Sequence, residues 1–502
     1  MKITNQKPNQ WDYTEIVFES DFEGNPYKDV ELSASFEKGD YKIEILGFYD
    51  DNNLWKIRFM PPEIGEWKFK TSSNLSSLKD LEGIIKCTKA EEGVHGLVQV
   101  SDKTQFSYSD GTAYYPIGTT CYVWNLQGDE LEKKTLETLK KSPFNKIRFC
   151  IYPKRYTFNY NEPESYPFLG KVEEKWNPQN QDDYTPRPRH SWWDYDFFNP
   201  EYFQHIDNCV LELRKLGIEA DLILFHPYDF GAWGFDCIPE EVNNRLLKYL
   251  VARLGAFRNI WWAFANEYDL FQNKAIHEWD RYMKLVAKID PYNHLRSIHN
   301  CREFFDHTKP WITHCSIQSK GFVQISKWLD SYKKPIVIDE CGYEGNIDRN
   351  WGNITGKELI NRFWQGFALG AYVGHGETYI NPEENLWWSK GGTLQGDSTE
   401  RIAFLRSIIE EIPEKYFSLI KPTDSFMRKT AGCGIYPEFG LFYFGVHQPS
   451  FQLIDLPDSG TWQIDIIDTW EMTITSAGSN FSGHCRLDLP SKEGIAIRIK
   501  KN

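Results

Sequence analysis

Two phrases, Ala265-Asn266-Glu267-Tyr268 and Ile338-Asp339-Glu340-Cys341, each set a glutamate at the end of an apolar run. The runs are Ile260-Trp261-Trp262-Ala263-Phe264 and Pro335-Ile336-Val337-Ile338. Because they are continuously apolar rather than alternating, both read as parallel strands buried on two faces. A glutamate just past such a strand stands where α/β barrels assemble their active sites. Two of them fit two-carboxylate glycoside hydrolysis, in which one carboxylate attacks the anomeric carbon and a protonated partner donates to the leaving oxygen.

Elements that could position the pair are visible from about residue 96 to 418. Candidate strands are Tyr114 to Thr119, Lys146 to Ile151, Glu219 to Phe225, Ile260 to Ala265, Leu295 to His299, His314 to Gln318, Pro335 to Asp339 and Ala371 to Gly374. Amphipathic helices separate them. Asn199-Pro200 opens one that Gly217 ends, and Thr355-x-x-Glu358 forms a capping box ahead of another. Eight β-α units predict an α/β fold of the (β/α)₈ TIM-barrel type. A doubly wound open sheet is the alternative, although no GxGxxG follows the first strand. Polar groups collect at the strand ends: Arg148, His226, Asn266-Glu267, His299-Asn300, Gln318, Glu340, and His375 with Glu377.

This rim resembles that of the clan A retaining glycoside hydrolases. The resemblance implies that Glu267, behind Asn266, is the acid/base after strand four and that Glu340 is the nucleophile after strand seven. It implies that Arg148 in Asn145-Lys146-Ile147-Arg148-Phe149 holds the nucleophile, and that His226 is the histidine after strand three. The stretch Asn385-Leu386-Trp387-Trp388-Ser389-Lys390-Gly391-Gly392 is similar to a subset of the clan with apiosidase-like relatives, whose barrel lies between two β-sandwiches. Many clan members carry His-x-Tyr after strand six. Here His314-Cys315-Ser316-Ile317-Gln318 has no tyrosine. On this reading Arg148 lowers the pKa of Glu340, while Trp261, Trp262 and Phe264 desolvate Glu267 and raise its own. Asn266 is expected to bond the sugar 2-hydroxyl. Trp124, Gln318, Glu377, Trp387 and Trp388 complete the expected substrate-binding set. Glu377 also reads as a loop carboxylate facing water, the tryptophans as barrel packing, and Glu344 as solvated.

Residues 1–95 and 419–502 show period-two strands, which predict β-sandwiches at both ends. Trp55, Ile57 and Phe59 alternate with Lys56 and Arg58, and Ile495, Ile497 and Ile499 with Ala496 and Arg498. The long stretch from Tyr152 to Asn199, with Trp176, Tyr184, Trp192, Trp193, Arg187, Arg189 and His190, reads as a rim insertion closing a pocket. That favours exo action on a short glycoside.

Aromatic residues make up 16% of the 502, and their faces suit sugar rings. A net charge of −14 gives no footprint for nucleic acid. The ten cysteines are scattered without a CxxC pair, which reads as buried free thiols. No secretory apolar region follows Met1 and no membrane span is present, so a cytoplasmic location is expected. Carbohydrate is the expected partner; no cofactor or metal is. Two alternatives stay open: a metal-dependent hydrolase using His226, His299, His314 and His375, and a non-catalytic sugar-binding barrel.

Overall fold

The computed structural model describes residues 1–156, 158–172, 191–228, 233–383, 385–413, 421–423, 425–427, 430 and 432–502. At its centre are β1 (Gly118–Thr120), β2 (Lys146–Cys150), β3 (Glu219–Ile223), β4 (Ile260–Ala263), β5 (Leu295–Ser297), β6 (Cys315–Gln318), β7 (Ile336–Glu340) and β8 (Tyr372–His375). All their ladders are parallel, in the order β5-β4-β3-β2-β1-β8-β7-β6. A parallel bridge between His299 and Ser316 brings the two ends together, giving a nearly closed barrel. The expected TIM-barrel fold is therefore present.

The first strand is shorter than expected. Pro116 has no N–H to give a ladder, and Ala113–Tyr114 pairs instead with Gln105–Tyr108. That small antiparallel sheet packs Val98, Phe106 and Tyr114 against Trp261, Leu295, Val337 and Tyr372.

Helices α1 (Asp129–Lys141), α2 (Pro200–Lys215), α3 (Glu240–Leu254) and α4 (Ile276–Ile289) follow the first four strands. Helices α5 (Ile325–Tyr332), α6 (Gly356–Ala368) and α7 (Ser398–Glu410) follow β6, β7 and β8. The fifth of the expected β-α units lacks its helix. Residues 298–314 cross from β5 to β6 as a loop, in which Asp306 Oδ1 accepts the Thr308 N–H at 3.1 Å and favours a turn. Helix α2 begins at Pro200 as its sequence predicts, but the Asn199 amide donates to the Tyr166 carbonyl at 2.9 Å rather than capping the helix. Thr355 does cap α6, its Oγ1 accepting the Glu358 N–H at 3.2 Å.

At the N-terminal end two four-stranded antiparallel sheets share a core of Ile16, Phe36, Trp55, Ile57 and Trp67. At the other end a six-stranded antiparallel sheet and a two-stranded ribbon enclose Phe442, Ile464, Leu487 and Ile497. The strand Phe439–Tyr443 is buried on both faces rather than alternating, because α6 covers its second face. Trp364 and Tyr443 stack there with ring centroids 5.7 Å apart. None of the ten cysteines forms a disulfide; seven are buried as expected, whereas Cys237 is exposed and Cys301 and Cys485 are partly so. No helix among the described residues is long and apolar enough to cross a membrane.

Candidate active site

A cavity of about 700 Å³ opens at the carboxyl ends of the strands, and both Glu267 and Glu340 line it. Glu340 is the last residue of β7, so its side chain leaves the barrel at the rim. Glu267 follows β4 with φ +50°, in the left-handed region. A non-glycine residue there costs on the order of 1–3 kcal/mol and is held by its surroundings.

Those surroundings are specific. Gln318, at the end of β6, has its amide nitrogen 3.1 Å from Glu267 Oε1 and 3.0 Å from Glu340 Oε2, bridging the two. The Tyr228 hydroxyl donates to Glu267 Oε2 and accepts from Asn266 Nδ2, the latter at 2.8 Å. The Tyr122 hydroxyl donates to Glu340 Oε1, which also accepts from Arg148 Nη1 at 3.2 Å. His299 Nε2 stands 3.6 Å from the same oxygen. A polar chain below supports it: His299 Nδ1 lies 3.0 Å from Ser316 Oγ, which donates to Asp339 at 2.6 Å, which in turn pairs with Lys146 at 2.9 Å.

Electrostatics separate the two carboxyls. Burial, followed by repulsion from Glu340, pushes Glu267 up to about 8. Burial acts in the same sense on Glu340, but His299, Arg148 and the Tyr122 hydrogen bond outweigh it and hold Glu340 below the usual glutamate value. Burial and the Arg148 charge pull His299 itself down to about 4, so near neutral pH the imidazole is uncharged and Arg148 is the effective cation. One carboxyl is kept protonated and the other ionised, the division of labour that acid/base and nucleophile need.

The remaining predicted residues divide. Trp388 lines the cavity and packs with Trp351 (4.9 Å) and Tyr122 (5.1 Å). Arg148 and Asn266 lie directly behind the carboxylates. Asn266 is fully buried; its Nδ2 donates to the Tyr228 hydroxyl, while its Oδ1 has no partner among the described residues. His226 is buried under Tyr228, its Nδ1 accepting the Tyr228 N–H at 3.3 Å. Trp124 packs edge-on against Phe149 in the barrel core, and Trp387 donates to Thr119 Oγ1 at 2.9 Å. Neither tryptophan lines the cavity. Glu377 does not face water or substrate: buried, it accepts the Gln395 and Gly396 N–H groups at 2.6 and 2.7 Å. Glu344, expected to be solvated, is fully buried and accepts from the Asp397 and Ser398 N–H groups at 2.8 and 3.1 Å. Glu344 satisfies orphan amides at the start of α7, and Glu377 those of the loop leading into it.

Tyr122, Tyr228, Lys154, Tyr156 and Tyr343 were not among the predicted site residues, and His299 was expected only at the rim and as a ligand of the metal alternative. Tyr122 and Tyr228 carried a usable signal, since they lie two and five residues past the ends of β1 and β3. Of the long insertion, Lys154 and Tyr156 wall the cavity, while Trp193 is buried and Trp192 is 58% exposed. Trp176, Tyr184, Arg187, Arg189 and His190 lie outside the described residues. Among the described residues the four histidines of the metal alternative join no group of three ligand side chains. The group Glu132–His205–Cys209 lies between α1 and α2.

Fold and site together define a barrel of the glycoside hydrolase class. The chain belongs to the apiosidase-like family, whose catalytic-domain model matches residues 101–443. Two domains of unknown function, DUF5060 and DUF5605, match residues 7–74 and 429–500. A crystal structure of a candidate glycoside hydrolase from Bacteroides vulgatus is 36% identical, with TM-score 0.90 over 99% of this chain and 100% of that one. Two further solved structures share the fold at 14% identity. One, described as a glycoside hydrolase, has TM-score 0.62 over 81% of this chain and 97% of that one. The other, a family 5 glycoside hydrolase from Bacteroides vulgatus, has TM-score 0.59 over 82% and 95%. No curated protein matches.

Proposed function

We propose that the protein hydrolyses O-glycosidic bonds with retention of anomeric configuration, removing terminal sugars from short glycosides. Glu340 attacks the anomeric carbon while Glu267 gives its proton to the leaving oxygen, leaving a glycosyl ester on Glu340. Water then attacks that carbon, returning its proton to Glu267 and freeing Glu340. Tyr122 and Arg148 stabilise the Glu340 carboxylate before attack and as it leaves the ester. Tyr228, held by Asn266, sets the acid/base.

The observation that carries the reading is the Gln318 bridge. One nitrogen reaches both carboxyls at 3.1 and 3.0 Å, so the two facing oxygens are no farther apart than those distances laid end to end. So close an approach of the facing oxygens suits the roughly 5–5.5 Å carboxyl separation of retaining enzymes better than the roughly 6.5–9.5 Å of inverting ones. A cavity of about 700 Å³ walled by Lys154 and Tyr156 supports action on a short substrate. The flanking β units, over 1–95 and 419–502, are proposed as sandwich domains framing a catalytic barrel over 96–418.

A panel of aryl glycosides tests this. Glu340→Ala should be nearly inactive on all of them. Glu267→Ala should lose roughly 10²–10⁴-fold on poor leaving groups and less on activated ones. Equal activity in wild type and both variants would refute the assignment.

A further inference from the structure

One charge in the cavity is not used by this mechanism. Lys154 follows β2 and lines the cavity, yet the residue is only 2% exposed. Its Nζ sits among four aromatic rings: Tyr122 at 3.6 Å, Trp388 at 4.3 Å, Tyr228 at 4.4 Å and Tyr156 at 5.0 Å. An ammonium carries three N–H donors. Among the described residues Lys154 has no hydrogen-bond acceptor and no ion-pair partner, neither Glu267 nor Glu340 being within pairing distance. Ring faces attract a cation, but they do not replace the lost hydration of three donors. A leucine or methionine would fill the same cage without that cost.

The position of the charge is informative. Tyr122 and Tyr228 are the residues whose hydroxyls hold Glu340 and Glu267, and Nζ lies over both rings. Lys154 therefore borders the space that the reacting sugar must occupy. The other walls point the same way. Arg302 and Lys320 also line the cavity, and among the described residues its acidic wall residues are Glu267 and Glu340. Glu267 is kept protonated near neutral pH, and Glu340 is already neutralised from behind by Arg148. Burial pulls the Lys154 ammonium down to about 8, which leaves it mostly charged at neutral pH. A chain of net charge −14 thus has a cavity whose described wall residues are net positive.

We propose that Lys154 selects an acidic sugar at the reacting position, its ammonium pairing with a carboxylate or sulfate substituent on the ring. This rests on the hydrolase reading for the identity of the site. A charge-assisted N–H bond to an anion in a water-poor cage is stronger than one to a hydroxyl, and that difference is what creates the selectivity.

The test reads binding rather than turnover. Affinities of glucuronate, galacturonate and mannuronate, and of glucose 6-sulfate, are compared calorimetrically with glucose, galactose and mannose at neutral pH. Wild type should bind at least one acidic sugar about tenfold or more tighter than its neutral counterpart. In Lys154→Met and Lys154→Gln that ratio should collapse toward unity. Tight binding of the sulfate ester without the uronates would identify sulfate as the substituent, and the reverse would identify the carboxylate. The proposal is overturned if no acidic sugar exceeds its neutral counterpart in wild type, a result that does not depend on the variants folding. It is equally overturned if the ratio survives loss of the ammonium. Preference for an acidic sugar with no cleavage of any aryl glycoside would count against the hydrolase reading alone. Hydrolysis of neutral glycosides without acidic preference would count against this proposal alone.

Discussion

At the residue scale, burial and the neighbouring Glu340 keep Glu267 protonated, while Arg148 and the Tyr122 hydroxyl help hold Glu340 ionised. Glu267 must be protonated for the first step, so that activity should fall as pH rises through about 8. Glu340 must be ionised, so activity should also fall on the acid side, below the ordinary glutamate value. A plot of kcat/KM against pH on a substrate with a poor leaving group should be bell-shaped with those limbs. Tyr122→Phe deletes a hydrogen bond to the charged form of Glu340. It should move the acid limb upward and lower kcat/KM roughly 10–100-fold. An unmoved limb in that variant would show that Tyr122 does not tune Glu340. Tyr228→Phe should move the basic limb upward, because its hydroxyl is an N–H acceptor from Asn266 and so donates its own proton to Glu267.

The element scale concerns how loops hold the strand ends in place. Glu344 and Glu377 sit on adjoining short strands after β7 and β8, and between them they accept four backbone N–H groups over residues 395–398. Gly396 fits there because it has no side chain: a Cβ would stand 2.4 Å from the Glu344 carboxylate. Glu344→Ala leaves the Asp397 and Ser398 N–H groups without this acceptor, at about 1–3 kcal/mol for the buried Ser398 group. A lowered Tm is expected, visible in thermal unfolding. The cap on α6 is a milder case, and Thr355→Ala should cost about 1 kcal/mol with the pH profile unchanged.

At the scale of the whole molecule, a buried ion network ties the N-terminal β unit to the barrel. Arg253, on α3, pairs with Asp50 and Asp207 at 2.6 Å each, and Asp207 also pairs with Arg58 at 2.7 Å. Arg58 reaches back to the Arg253 carbonyl at 2.6 Å. Removing Arg253 leaves Asp207 with Arg58 and Asp50 with Lys56 at 2.6 Å, each short of one hydrogen-bonded cation in a dry interface. Arg253→Met should therefore destabilise by about 1–3 kcal/mol, read as a lower midpoint in denaturant unfolding. An unchanged midpoint would mean that the two aspartates find water or other partners.

Much of the barrel was legible because its strands are buried on both faces and so write continuous apolar runs. All eight could be read, and the glutamates closing two of them marked the rim. The helix missing between β5 and β6 and the shortened β1 were misjudged from similar local patterns, although Pro116 gave a warning of the second. The tryptophans were ambiguous by nature. Trp124, Trp387 and Trp388 are one residue type near one rim, and only packing puts Trp388 in the cavity and the other two in the core. Glu344 and Glu377 were misread for a related reason, since a carboxylate that accepts backbone N–H groups looks in sequence like one that faces water. By itself the sequence determined the order of strands and helices and the two carboxylates at the rim, because burial and periodicity act along the chain. Only the tertiary structure decided that Tyr122, Tyr228, Gln318 and Lys154 surround those carboxylates. Closing the barrel brings together strand ends that are far apart in sequence, and hydrogen bonds and desolvation depend on distance in space.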